Sequence, residues 1–137
     1  MDMGEAVIVA GVGCRSGARA ADIAAVIAAA LGRAGLTAES LSAIATSVAK
    51  AADGAIAEAA RVIGVPLIAV AQADLAAAAA RTVTKSERVL AIAGVPSLAE
   101  AAALAAGGPA ARLIAPRIAV GAATCALAES GAIQTSR

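Results

Sequence analysis

Not one of the 137 residues is Phe, Tyr or Trp, and that absence constrains the fold before any pattern is read. A core without rings must be built from Ala, Val, Ile and Leu, so helices can pack closely against what they cover. The hydrophobic fraction is 61%, and the length suits a single domain spanning residues 1–137 with a sizeable core. The same absence removes base stacking. With 11 basic and 10 acidic residues scattered along the chain and a net charge of +1, there is no basic stripe, and nucleic acid is not an expected partner.

Mean hydropathy is +0.85, which invites a membrane reading, but alanine is its source. The longest charge-free stretch, residues 62–73, contains Gly64 and Pro66, whereas a helical span takes about 20 apolar residues. Asp2 and Glu5 stand where a signal peptide would carry basic residues. The expectation is a soluble cytoplasmic protein with no membrane partner.

Histidine is also absent, which rules out Ser-His-Asp and Cys-His catalysis and every histidine metal site. Cys14 and Cys125 are far apart and form no Cys-x-x-Cys pair, so neither a zinc site nor a disulfide framework is indicated. No metal and no cofactor are expected.

Val7, Ile8 and Val9 form a β-branched run of the kind buried on both faces of a parallel sheet, followed by Gly11-Val12-Gly13. The Gly-x-Gly pair is read as a sharp turn, which sets Cys14, Arg15 and Ser16 on a loop at the strand's carboxyl end. Open α/β sheets bind ligands at that edge, and the helix N-terminus beyond it favours an anion. The plainer reading is a tight turn whose glycines serve only backbone geometry. The full Gly-x-Gly-x-x-Gly is absent, and no Lys-Ser/Thr pair makes this a nucleotide loop.

Apolar spacing predicts a helix over 18–34, stopped by Gly35, then a short turn over 36–41 capped by Thr37. A strand at 43–48 and a connection over 49–54 follow. A helix over 54–63 stops at Gly64, a strand covers 67–70, and a brief helix lies around 74–79. Ser86 caps a helix to Ala93, with a strand at 89–92 as the alternative. Ser97-Leu98-Ala99-Glu100 is a capping box opening a helix that ends at 107–109. Strands at 112–115 and 122–128, joined through Pro116, Arg117 and Gly121, close the chain, and 133–137 is a tail. The alternation specifies an α/β three-layer sandwich: a mostly parallel central sheet, helices on both faces and a C-terminal pair of strands.

Gly11-Val12-Gly13-Cys14-Arg15-Ser16-Gly17 resembles the opening signature of the CobE/CbiG C-terminal family of cobalamin-biosynthesis proteins. Ser47 to Lys50 resembles that family's polar strand end with a lysine. The run from Gly94-Val95-Pro96-Ser97 through Leu104 to the strand holding Gly121, Thr124 and Ala126 resembles its third block. The three lie in the family's order across nearly the whole chain, like a small stand-alone member. Arg117 departs from the lysine of many relatives but keeps the charge.

The resemblance implies work on corrin intermediates of vitamin B12 synthesis. Two-domain members open a precorrin δ-lactone and release acetaldehyde. The expectation is a chain without their N-terminal domain, so binding a late precorrin or corrinoid is expected ahead of hydrolysis. A third expectation is a module that holds a neighbouring precorrin methyltransferase. A corrin intermediate is a flat apolar macrocycle ringed with carboxylates, so its site needs cations and N–H groups. Arg15, Lys50 and Arg117 are candidates for the carboxylates, against the alternative of solvated surface charges. Ser16 and Ser47 are candidate donors, though Ser16 equally reads as the cap of the first helix. Gly13 and Cys14 complete the candidate binding set. Cys14 reads either as a nucleophile or ligand or as small inert packing, the commoner role. Glu100 is a candidate base for lactone opening, although its capping box already explains it.

Overall fold

The computed structural model describes residues 7–52, 54–82 and 97–130. Along them run β1 (Val7–Cys14), α1 (Ala20–Arg33), a 3-10 turn (Ala38–Ser40), β2 (Leu41–Ser47), α2 (Val48–Ala51) and α3 (Ala55–Ile63). β3 (Leu67–Val70), α4 (Gln72–Ala78), a second 3-10 turn (Ala79–Arg81), α5 (Leu98–Gly107), β4 (Arg112–Val120) and β5 (Ala123–Ser130) complete them. The helix or strand expected within 86–93 and the tail at 133–137 lie outside the described residues.

The strands form one sheet in the order β3-β2-β1-β5-β4. β1, β2 and β3 pair in parallel, while β5 is antiparallel to both β1 and β4. Only β5 therefore runs against the rest, and the sheet is mostly parallel with a C-terminal hairpin. Side-chain alternation explains the layers. Ile8, Ala10 and Val12 pack with Ile23, Val26, Ile27 and Ile56 of α1 and α3, while Val9, Ala45 and Ala128 meet α4 and α5 on the other face.

The Gly-x-Gly pair is not a turn. Both glycines lie inside β1: Gly11 must be bare for the sheet to receive α5, and Gly13 is crowded by Thr124 of the neighbouring β5. A Cβ on Gly11 would overlap the Ala99 carbonyl oxygen and come within 2.6 Å of the Ala103 nitrogen; one on Gly13 would lie 2.9 Å from Thr124 Oγ1. The turn falls later. The Ala18 N–H donates to the Arg15 carbonyl at 3.1 Å, with Gly17 at φ +86°, where a side chain would be strained.

Ser16 does not cap α1. That position belongs to Arg19, whose N–H donates to Asp22 Oδ2 at 2.9 Å. Thr37 does occupy the N-cap of its 3-10 turn, but its side chain makes no capping bond. The connection expected after β2 is helical from Val48. Pro116 and Arg117 do not join the closing strands either; they lie within β4, which turns into β5 through Gly121, at φ +60°, and Ala122. β4 is an edge strand, where a missing N–H breaks no ladder on the outer side. It also carries two bulges, since Ala115 and Ile118 face Leu127 and Cys125, and Leu113 and Ala115 face Ala128 and Leu127.

Candidate functional site

Parallel pairing brings the carboxyl ends of β1, β2 and β3 to one rim of the sheet, and the antiparallel hairpin adds its tip there. Thr46, fully buried, donates its hydroxyl to the Val12 carbonyl at 2.7 Å and fixes β2 beside β1. The Arg15 N–H donates to the Ala122 carbonyl at 2.9 Å, continuing the β1–β5 ladder to the turn. Cys14, Arg15, Ser16, Ser47 and Lys50 are thereby gathered at one edge.

Each has a distinct setting. Arg15 and Ser16 are exposed on the turn, whereas Gly13 is buried next to Thr124, whose hydroxyl donates to the Gly13 carbonyl at 3.3 Å. Cys14 is half-buried as the last residue of β1 and packs on the α1 side of the core. The Ser47 hydroxyl caps α2 by accepting from the Lys50 N–H at 3.1 Å, which draws the base of Lys50 to the rim. Its own hydroxyl proton stays available to an acceptor. Neither the Arg15 guanidinium nor the Lys50 ammonium has an ion-pair partner among the described residues.

Arg117 stands apart, two strands from β1 on the outer strand and within the second bulge. At about 4.8 Å per strand that is roughly 10 Å to the side. Its guanidinium likewise makes no ion pair among the described residues, while its backbone N–H donates to Glu100 Oε2 at 2.9 Å. Glu100 is fully buried on α5. The Ser97 hydroxyl accepts from the Glu100 N–H at 3.3 Å, so the serine half of the expected capping box is formed.

Two features of the rim escaped the sequence reading. The hairpin tip at Gly121 and Ala122 abuts Arg15, and its signal was the glycine between two apolar runs. Arg19 also belongs to this edge, four residues beyond Arg15 across a glycine turn. It lines an open groove of about 640 Å³ between the starts of α1 and α3 with Gly17, Gly54 and Glu58. A groove of about 390 Å³ lies between α4 and the end of α5, against Asp74, Arg81 and Pro109. Neither is lined by Arg15, Ser47, Lys50 or Arg117; the first meets the rim at Gly17. Among the described residues no three His, Cys, Asp or Glu side chains are grouped to hold a metal ion, and no helix is long and apolar enough to cross a membrane.

This geometry offers cations, hydroxyls and turn amides beside the exposed side chains of Val48 and Val120, an open arrangement that suits a broad anionic ligand better than a small enclosed one. Comparison with known proteins identifies the family. The family described as "Cobalamin synthesis G C-terminus" matches residues 8–128. The solved structure of CobE, a protein from the cobalamin (vitamin B12) biosynthetic pathway, is similar with a TM-score of 0.85 and 30% identity over 96% of this chain and 94% of that one. Cobalamin biosynthesis protein chiG from Agrobacterium tumefaciens str. C58 is 47% identical with a TM-score of 0.71, over 89% of this chain and 97% of that one. A putative cobalamin biosynthesis protein G homolog from Sulfolobus solfataricus shares the fold at a TM-score of 0.67 and 23% identity, over 91% of this chain but 37% of that longer one. No curated protein matches the chain.

Proposed function

The chain belongs to the cobalamin synthesis G C-terminal family, and from that premise we propose that it binds a late precorrin or corrinoid intermediate at the rim formed by Arg15, Ser16, Ser47 and Lys50. The observation that carries the reading is the pair of cations, Arg15 and Lys50, set at one sheet edge without ion pairs among the described residues. A folded chain ordinarily leaves such groups solvated; here the strand ends gather them beside hydroxyls and a glycine turn, where ring carboxylates can be met in pairs. Arg117 extends the cationic edge along the outer strand.

Hydrolysis is the weaker reading. The candidate base Glu100 is fully buried and already accepts from a backbone N–H, so a lactone-attacking water has no open carboxylate there.

The test uses visible absorbance, where corrinoids colour strongly and the polypeptide does not absorb; the missing Trp and Tyr also lower the near-ultraviolet background. Mixed with cobyrinic acid, a corrinoid polycarboxylate, or with late precorrins and then gel-filtered, the protein peak is expected to carry the visible spectrum. Arg15→Ala is expected to weaken binding by about 1.5–3 kcal/mol. A colourless peak with every corrinoid would overturn the binding reading and favour the partner-holding module. A coloured peak with unchanged Arg15→Ala affinity would remove Arg15 from the site.

A further inference from the structure

We infer that Glu100 is a positioning residue for the corrinoid site: its buried carboxylate holds the β4 bulge through the Arg117 N–H, so that the Arg117 guanidinium is presented to a ring carboxylate. The inference rests on the corrinoid-binding reading and assigns a role within that site.

Three observations converge on it. First, the stretch of β4 between Ala115 and Ile118 holds one residue more than the facing stretch of β5. Such a bulge takes a backbone N–H out of the regular ladder and redirects the neighbouring side chain, a device common at sheet edges beside functional sites. Second, the N–H of that bulge is met by Glu100 Oε2 at 2.9 Å, from a residue with no exposed surface. A charged side chain is seldom placed so deep unless it is held by hydrogen bonds. Third, Arg117 is half-buried, and its charged end makes no ion pair among the described residues. α5 is in turn fixed where Glu100 can reach, by the Ser97 cap at its start and by its contact with bare Gly11.

On this account it is the reach of the acceptor at position 100 that presents Arg117. Glu100→Gln keeps a carbonyl oxygen at the same reach and can accept the Arg117 N–H; Glu100→Asp keeps the charge but falls one methylene short. Both variants, Arg117→Ala, and each combined with Arg117→Ala are to be titrated with cobyrinic acid by visible absorbance, after melting curves confirm that they fold.

The expected order is Glu100→Gln within about threefold of the parent and Glu100→Asp weaker by about tenfold. Arg117→Ala is expected to cost about tenfold in the parent and in Glu100→Gln, and little in Glu100→Asp, where the arginine is already misplaced. A purely structural glutamate would change melting temperature without erasing the Arg117 contribution. Equal cost of Arg117→Ala in all three backgrounds would overturn the inference and leave corrinoid binding standing. So would loss of binding by folded Glu100→Gln, which keeps the test open if the aspartate variant does not fold. Failure of the parent to bind any corrinoid would remove both.

Discussion

Cys125 has no exposed surface on β5, and burial pushes its thiol from 9.0 up to about 12. Desolvation penalises the thiolate, so the residue behaves as a small hydrophobe. The consequence for stability has a definite sign. Below about pH 9 folded and unfolded chains both keep the proton and the thiol is indifferent. Between about pH 9 and 12 the unfolded chain loses a proton that the folded chain retains, so stability falls by up to about 1.4 kcal/mol per pH unit. Denaturant unfolding at about pH 8 and pH 10.5 is expected to show about 2 kcal/mol more loss for the parent than for Cys125→Ala; equal losses would mean that the fold exposes the thiol. Cys14, half-buried at the end of β1, is expected to react with thiol reagents in the native protein, and Cys125 only after unfolding.

Among elements, the contact of β1 with α5 does most to define the fold, and it depends on one absent side chain. α5 is buried at every position from Ala99 to Leu104, and its alanines let the helix backbone rest on Gly11 itself. Gly11→Ala forces the Ala99 carbonyl region away from the sheet and is expected to cost about 3 kcal/mol or more, read as a lower denaturation midpoint. Substituting exposed Gly32, whose Cβ would meet nothing within 4 Å, with Ala is expected to be neutral or slightly stabilising. The same contact explains what the sequence could and could not disclose. The strand at 67–70 and the stop at Gly64 follow from local chemistry, and both stand as read. Gly11 looks like a turn residue because its reason for being glycine lies about 90 residues away in α5, and Gly13 because its crowding neighbour is Thr124 of β5; both partners are beyond any local signal. Pro116 looks like a strand end for a related reason: only the position of β4 at the sheet edge makes a proline admissible within it. Arg15, Ser16 and Lys50 were legible as rim residues from strand-end spacing alone, whereas the hairpin tip beside them required the long-range pairing of β5 with β1.

At the scale of the whole molecule, net charge says little, because the balance of +1 conceals how the topology distributes it. Parallel strands deliver Arg15 and Lys50 to one rim, Arg19 continues that rim along the start of α1, and Arg117 extends it on the far side of the hairpin. The rim is open to solvent, so attraction between these cations and a carboxylate-ringed ligand is exposed to screening. The Debye length shrinks from about 10 Å at 0.1 M salt to about 3 Å at 1 M, short of the roughly 10 Å that separates Arg117 from β1. Affinity for cobyrinic acid is therefore expected to fall by about tenfold between about 0.05 and 0.5 M sodium chloride, because several exposed cations act together. Its fully esterified form presents the same apolar macrocycle without charge. It is expected to bind weakly and with almost no salt dependence, resting on the sheet edge through hydrophobic contact alone. Equal affinity for acid and ester at all salt concentrations would place recognition in the macrocycle and remove the cationic rim from the binding mechanism. A steep salt dependence for the acid alone, halved in Arg15→Ala, would assign the corresponding share of the attraction to that one side chain.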